Sequence, residues 1–152
     1  MRRRRVDLMW PGDGQLLSDG FVILRGLLDD SAVATARRWI ESQAEVGAAP
    51  RVSPRLGSMY PYAADDEPVE LLMRSPETVS AIQRACDATD LRWISGYAIV
   101  KPAGAGALWW HQDWWCWSHP KSLDPEPLQV ALLCYLDDTS FDNGALRVLP
   151  GS

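Results

Sequence analysis

The sequence predicts a mainly β fold with flanking helices, arranged as a helix-supported β-barrel or jelly roll. Two segments with helical spacing of apolar residues come first, and segments rich in β-forming residues follow from about residue 92. The last of these, 145–149, begins a strand that the remaining residues cannot pair into a closed barrel. We therefore expect 1–152 to form a single domain that is the N-terminal and central part of a longer barrel.

Composition and charge limit the classes of protein that fit. The 152-residue chain is 47% hydrophobic and has no apolar run long enough to cross a bilayer, so we expect a globular protein without a membrane span. A formal charge of −5 argues against nucleic acid as a partner, because such binding needs a basic surface. The basic run at 2–5 lacks the apolar segment of a secretory signal. Three cysteines without a Cys-x-x-Cys pair favour the reducing cytoplasm.

The first half of the chain contains the helical patterns. The apolar run at 21–24 predicts a strand, and Asp29 offers an N-cap for a helix that continues to about Val46. The four prolines within 48–68 predict a loop that is long enough to be a lid. Ser75, followed by proline and glutamate, predicts a helix to about residue 88, with Val79 and Ile82 facing inward.

The second half has the composition of strands. We predict them at 92–100, 108–117, 129–136 and 145–149, with a hairpin-type turn at 142–144 (Asp-Asn-Gly). The segment 129–136 is almost continuously apolar, which is typical of a strand that is covered on both faces. An unpaired last strand also predicts poor solubility or self-association through the open sheet edge.

Two residues of the predicted strand 108–117 carry the chemistry. His111 and Asp113 are two positions apart, so on a strand their side chains share one face, and together they can ligate one metal ion. Such a pair is part of the 2-His-1-carboxylate triad of non-heme Fe(II) oxygenases. His119, the second of the two histidines, lies beside Pro120, and we expect it in a loop rather than at the metal.

Several motifs at this spacing together resemble one family. Lys101-Pro102 precedes a glycine-rich turn, Trp-His-Gln-Asp-Trp occupies 110–114, and Asn-Gly-Ala-Leu-Arg-Val-Leu-Pro-Gly-Ser occupies 143–152. With the opening segment 19–29, this pattern resembles the phytanoyl-CoA dioxygenase family, and within it the ectoine-hydroxylase-like branch. The resemblance implies a double-stranded β-helix (jelly roll, cupin-like), incomplete at the C-terminus. It also implies Fe(II)- and 2-oxoglutarate-dependent hydroxylation of a small natural-product or lipid-like molecule by O₂.

The resemblance also assigns roles to individual residues. His111 and Asp113 match the first two iron ligands of the family, while Lys101, Tyr97 and Leu133 match positions that contact 2-oxoglutarate. The distal iron-binding histidine of the family, and the arginine that binds the 2-oxoglutarate carboxylate, fall beyond residue 152. Halogenases of this superfamily have a small residue where this chain has Asp113, so the carboxylate implies hydroxylation or a related oxidation.

The tryptophans around the His-x-Asp pair have two possible roles. Regular alternation places Trp109, Trp115 and Trp117 on the face of His111 and Asp113. They either pack in the core or form an aromatic wall for a flat, apolar or cationic substrate. Trp115 and Trp117 are the candidate substrate residues. We interpret Arg147, in the last predicted strand, as structural.

Two other functions remain open. The chain is either catalytically inactive, because its iron triad is incomplete, or a jelly-roll binding module that stacks a ligand on the aromatic run 109–117. In a binding module, ligand affinity would survive both removal of metal and the His111→Ala change. A structural zinc site is disfavoured, because closed zinc sites use four ligands, usually with cysteine.

Overall fold

A computed structural model describes residues 15–47, 50–113, 118–124 and 129–151, without the side chain of Leu123. In these ranges it contains four α-helices, three β-strands and two 3₁₀ turns. The helices are α1 (Gln15–Asp19), α2 (Asp30–Glu45), α3 (Glu67–Arg74) and α4 (Pro76–Cys86), the strands are β1 (Arg51–Ser53), β2 (Gly57–Pro61) and β3 (Tyr97–Val100), and the 3₁₀ turns are Pro120–Leu123 and Phe141–Asn143.

The two helices predicted from capping residues are confirmed. The Asp29 carboxylate accepts a hydrogen bond from the backbone N–H of Ala32 at 2.8 Å, which starts α2 one residue later. Ser75 does the same for α4 through the N–H of Thr78 at 3.1 Å. The buried face of α4 is centred on Thr78 and Ala81, however, one residue before the predicted Val79 and Ile82.

The prediction of a loop over 48–68 is wrong. This segment contains β1 and β2, which form an antiparallel hairpin, and it ends in the first turn of α3. β2 also pairs antiparallel with β3, with Ser58 opposite Val100, so the sheet order is β1-β2-β3. The prolines are tolerated because Pro54 lies in the hairpin turn and Pro61 at the last position of β2, where few ladder hydrogen bonds are lost.

Most of the predicted strands do not form in the described residues. The segments 21–24, 108–113, 129–136 and 145–149 have no strand structure, and 92–100 is reduced to β3. β-forming composition alone is not sufficient, because a strand also needs a hydrogen-bonded neighbour along its backbone. The described residues therefore show more helix than strand, and the jelly roll remains a prediction.

The apolar segment 129–136 is also more exposed than predicted. Leu133 and Tyr135 each present more than half of their surface to solvent, and Val130 and Leu132 about two fifths. The two faces of this segment are therefore not both covered. Cys134 is less exposed than these residues, because its thiol is partly buried and lies near Tyr62.

The buried residues lie where the helices meet one another and in the sheet. α2 packs on α3, and α3 on α4, around Ala36, Val69 and Ala81, while Ala98 is the buried residue of β3. The ring of Trp39 on α2 packs against that of Tyr62, just after β2, with centroids 4.4 Å apart. None of the described helices is both long and apolar enough to cross a membrane.

The turn at 142–144 differs in type from the prediction. Phe141–Asn143 form a 3₁₀ turn, rather than a two-residue hairpin turn, and Ser140 and Asn143 cap its N-terminal end reciprocally. Gly144 follows with φ of +99°, in the left-handed region that favours glycine. The Asn-Gly pair thus lies in a turn, as the sequence indicated, but the turn has a different geometry.

Candidate metal centre

His111 and Asp113 lie close together, as the sequence predicted. Nε2 of His111 is 3.5 Å from Oδ1 of Asp113, and about half of each side chain is exposed to solvent. The two side chains converge although 108–113 is not a strand in this structure. Their proximity therefore depends on local contacts rather than on a β-ladder.

A backbone hydrogen bond fixes the protonation pattern of the neutral His111 ring. Nδ1 lies 2.7 Å from the carbonyl oxygen of Trp109. A carbonyl only accepts hydrogen bonds, so Nδ1 carries the proton and donates. Nε2 then retains its lone pair on the side that faces Asp113. Metal-binding histidines commonly donate their second nitrogen to a carbonyl or carboxylate in this way.

The separation of the two side chains fits a shared metal ion. Two ligands with bonds of about 2.1 Å to one ion, at tetrahedral or right angles, are roughly 3.0–3.4 Å apart. The observed 3.5 Å between Nε2 and Oδ1 is slightly longer and needs only a small side-chain adjustment. An imidazole nitrogen with a carboxylate oxygen is also the donor set that Fe(II) accepts in facial-triad enzymes.

In the part of the chain that the structure describes, no third histidine, cysteine, aspartate or glutamate joins this pair in a possible metal site. No group of three or more histidine, cysteine, aspartate or glutamate side chains in 15–47, 50–113, 118–124 or 129–151 could hold a metal. His111 and Asp113 could thus supply two ligands, and a third would have to come from outside the described residues.

His119 has a structural role. It is the N-cap of the 3₁₀ turn Pro120–Leu123, and its Nδ1 accepts a hydrogen bond from the backbone N–H of Lys121 at 3.2 Å. The Nδ1 lone pair is therefore occupied, which is the opposite of the arrangement in His111. The structure supports the prediction that His119 is a loop histidine.

Tyr97 lies near the His-Asp pair. Burial raises the pKa of the Tyr97 phenol, and the negative charge of Asp113 raises it further. Tyr97 is the first residue of β3, so the sheet brings this phenol towards the carboxylate. The structure thus places one of the three predicted co-substrate residues within electrostatic reach of Asp113.

The other two predicted co-substrate residues are placed less directly. The Lys101 side chain runs beside Gly144, where an added Cβ would be 3.9 Å from Nζ, and no carboxylate of the described residues forms an ion pair with it. Leu133 is more than half exposed. No described contact joins either residue to His111 or Asp113.

Two arginines cover the tryptophans that precede His111. The guanidinium carbon of Arg55 lies 4.4 Å from the ring centroid of Trp109, and that of Arg147 lies 5.5 Å from Trp110. Arg147 also lies 5.8 Å from the ring of Phe141, so its guanidinium is near two aromatic rings. The predicted substrate residues, Trp115 and Trp117, lie outside the described residues.

Sequence reasoning missed two contributors to the site. The carbonyl of Trp109 orients His111, but any residue at position 109 provides a carbonyl, so the sequence contains no signal for it. Arg55 precedes Ala107 by 52 residues, and it lies in a segment predicted to be a loop. A correct prediction of the β1–β2 hairpin would have placed Arg55 in its turn.

Comparisons with known proteins agree with the resemblance. The family model described as phytanoyl-CoA dioxygenase (PhyH) matches residues 16–152. A curated relative, L-proline trans-4-hydroxylase from Streptomyces griseoviridis, is 42% identical over 55 residues, which are 35% of this chain and 20% of the hydroxylase. The match therefore spans about a fifth of that relative's length. No solved structure matches this chain.

Proposed function

This chain belongs to the phytanoyl-CoA dioxygenase family, and from that premise we propose that it forms the metal-binding part of an Fe(II)- and 2-oxoglutarate-dependent oxygenase. The family is one of dioxygenases with a cupin or jelly-roll fold. The proposed reaction is hydroxylation of a small organic molecule by O₂. We also propose that the chain belongs to the ectoine-hydroxylase-like branch of the family, and that the whole protein folds as a double-stranded β-helix.

One observation carries this proposal. His111 donates from Nδ1 to the Trp109 carbonyl and directs Nε2 towards the carboxylate of Asp113, 3.5 Å away. Metal-binding histidines commonly donate their second ring nitrogen to a carbonyl in the way that His111 does. In the neutral imidazole that donates from Nδ1, both facing atoms carry lone pairs that a metal ion can accept.

The residues fit the cofactor that the family implies. His111 and Asp113 would hold Fe(II), and when bound with 2-oxoglutarate this ion supplies the oxidation of a substrate C–H bond. The part of this chain is to fix two ligands and to leave coordination positions open. The exposure of both side chains leaves their facing atoms accessible.

Lys101 and Tyr97 support the co-substrate part of the proposal. The Lys101 ammonium has no ion-pair partner in the described residues, so it is available to a carboxylate of 2-oxoglutarate. Tyr97 offers a phenol beside Asp113 that stays protonated, because burial and the carboxylate raise its pKa. Leu133 is proposed as an apolar contact of the same molecule.

The substrate class is proposed only as a small organic molecule. The curated relative is named for L-proline, and this supports a small polar substrate alongside the natural-product or lipid-like molecules that the resemblance implies. We propose that Trp115 and Trp117 line the substrate site.

The two free cysteines that the structure describes, Cys86 and Cys134, accord with a reducing cytoplasm.

The test is anaerobic titration of Fe(II) and 2-oxoglutarate into the purified protein. We expect the visible charge-transfer band of 2-oxoglutarate chelated to ferrous iron, and its loss in Asp113→Ala. Absence of the band from this chain, and also from a version extended through any downstream coding sequence, would overturn the proposal. A band that appears only in the extended version would show that the third ligand lies beyond Ser152.

The alternative of a binding module is favoured by the exposed rings of Trp109 and Trp110, which are 73% and 60% accessible. The two functions differ in their dependence on metal. A stacked ligand would bind equally well after chelation and in His111→Ala, whereas binding of 2-oxoglutarate requires both the metal and the imidazole. Equilibrium dialysis with 2-oxoglutarate, with and without a chelator, distinguishes them.

A further inference from the structure

We propose that Arg55 is a positioning residue for the metal centre, acting on His111 through the backbone of residues 107–109. This inference rests on the proposed function, because it assumes that His111 binds a metal. No described contact joins Arg55 to His111 or Asp113. Arg55 contacts the segment that holds the carbonyl to which His111 donates.

Arg55 binds this segment by two different contacts. Its Nη1 donates to the carbonyl oxygen of Ala107 at 2.6 Å, and its guanidinium group covers the ring of Trp109 at 4.4 Å. It also passes close to Gly106, where an added Cβ would be 3.7 Å from Nη1. The planar guanidinium can make the hydrogen bond and stack on the ring together, which the compact ammonium of a lysine cannot do.

The turn that contains Arg55 is held by hydrogen bonds within the β1–β2 hairpin. Ser53 Oγ accepts hydrogen bonds from the backbone N–H groups of Arg55 and Leu56, at 3.3 and 3.2 Å. Gly57 follows with φ of +85°, and it lies so close to the end of β3 that an added Cβ would be 2.8 Å from Pro102 Cδ. The hairpin turn is therefore fixed to the sheet, and Arg55 projects from a rigid base.

The segment that Arg55 contacts lacks other regular support. Residues 107–113 form no strand, and they follow the glycine-rich turn 102–106, in which Gly104 has φ of +78° and open space around it. Without a β-ladder, side-chain contacts must determine where the Trp109 carbonyl points. Arg55 supplies two such contacts, and Arg147 supplies one more on Trp110.

The consequence for His111 follows from the hydrogen bond at Nδ1. If the Trp109 carbonyl moves, His111 loses the acceptor that selects its Nδ1–H tautomer. A fraction of the molecules then carries the proton on Nε2, which is the nitrogen that faces Asp113. Partners of metal-bound histidines typically contribute about 10–100-fold to metal affinity. Since Arg55 acts through one of them, we expect a loss of about tenfold, at the low end of that range.

The experiment compares three variants with the parent protein. Arg55→Met keeps the aliphatic stem and removes the guanidinium, Arg55→Lys keeps the charge, and Arg51→Met is the matched control in the same hairpin, since Arg51 has no side-chain partner in the described residues. Mn(II) affinity is measured by electron paramagnetic resonance. The His111 tautomer is measured on metal-free protein by ¹⁵N NMR of the imidazole nitrogens, with His119 as an internal reference and circular dichroism as the check on folding.

We expect about tenfold weaker Mn(II) binding and mixed His111 tautomers in Arg55→Met, partial recovery in Arg55→Lys, and no change in Arg51→Met. Unchanged tautomer and affinity in a folded Arg55→Met protein would overturn the proposal and leave the proposed function standing. If neither the parent nor its version extended past Ser152 binds Mn(II), the proposed function fails, and the tautomer still decides whether Arg55 positions the ring. If Arg55→Met does not fold, the His111 tautomer and the Mn(II) affinity of Arg55→Lys are compared with those of the parent instead. Parental values of both in Arg55→Lys would overturn the proposal.

Discussion

The phenol oxygen of Tyr135 accepts a hydrogen bond from the backbone N–H of Leu146 at 2.8 Å. This contact joins two segments that the sequence predicted as strands, 129–136 and 145–149, although neither forms a β-ladder in the structure. A side chain thus provides an acceptor that a neighbouring strand would otherwise supply. Arg37 on α2 secures the same region, because it forms an ion pair with Asp137 at 2.6 Å and also donates to the carbonyl of Leu136.

The first prediction concerns Tyr135→Phe. This change leaves the Leu146 N–H to water, since Leu146 is exposed, so the free energy of unfolding should fall by only about 0.5–1 kcal/mol. Tyr60→Phe is the control, because the Tyr60 hydroxyl has no hydrogen-bond partner in the described residues. Urea denaturation of both variants checks this. Equal stability of the two variants would show that the Tyr135 contact does not hold the segments together.

The second prediction separates the two histidines by their role. His111→Ala should abolish detectable metal binding, because it removes one of the two proposed ligands. His119→Ala should leave metal affinity unchanged and reduce stability by roughly 0.5–1 kcal/mol, since it removes an N-cap hydrogen bond. Isothermal titration with Mn(II) and thermal denaturation give the two readouts. Loss of metal binding in His119→Ala would contradict the assignment of that residue.

The sequence predicted helices α2 and α4 and the proximity of His111 and Asp113, because their signals are local. Asp29 and Ser75 cap their own helices, and the spacing of His111 and Asp113 brings them together in more than one backbone conformation. The β1–β2 hairpin was missed because the prolines of its segment obscured it. The predicted strands failed because pairing depends on distant neighbours, which composition does not report. The contacts of Arg55 with Ala107 and Trp109 could not be predicted either, because they also join residues that are distant in sequence.

The third prediction concerns Gly57, where the backbone of β2 approaches the end of β3. An alanine Cβ at this position would collide with the carbonyl of Val100 and with Pro102, in addition to the strain of a positive φ. Gly57→Ala should therefore reduce the free energy of unfolding by more than about 3 kcal/mol. Gly47→Ala is the control, since Gly47 also has positive φ but open space around it, and should cost only about 1 kcal/mol. Chemical denaturation measures both losses, and similar values would mean that β2 and β3 are not closely packed there.

The fourth prediction is a loss of stability at alkaline pH. Burial raises the pKa of the Cys134 thiol above its ordinary value of 9.0, and burial, Cys134 and Asp66 together raise the pKa of Tyr62 above 10.0. Both groups hold their protons more tightly when folded, so their stabilising effect is complete below pH 9.0 and is lost as pH rises through the raised values. Melting temperatures should be measured between about pH 7 and 11, a range that spans these two ordinary pKa values. They should fall towards about pH 11.

Cys134→Ala tests the cause of this alkaline loss. The variant removes the partly buried thiol and the charge that it would place near Tyr62, so its melting temperature should fall less steeply with pH than that of the parent. Cys86→Ala is the comparison, because the Cys86 thiol is less buried, and its effect on the slope should be smaller. Identical slopes in the parent and in Cys134→Ala would assign the alkaline loss to other groups.

The fifth prediction is self-association through the open edge of the sheet. β1 has a neighbour on one side only in the described residues, and Val52 at its centre is 75% exposed. An edge strand with an exposed apolar centre can pair with another copy of the chain. Val52→Lys should shift the sedimentation profile towards monomer, because a charge at the centre of the edge opposes pairing. Val46→Lys is the matched control, since Val46 is 76% exposed but lies at the C-cap of α2 rather than in a strand. A parent protein that is monomeric at all concentrations, or an equal effect of both substitutions, would show that association does not use the β1 edge.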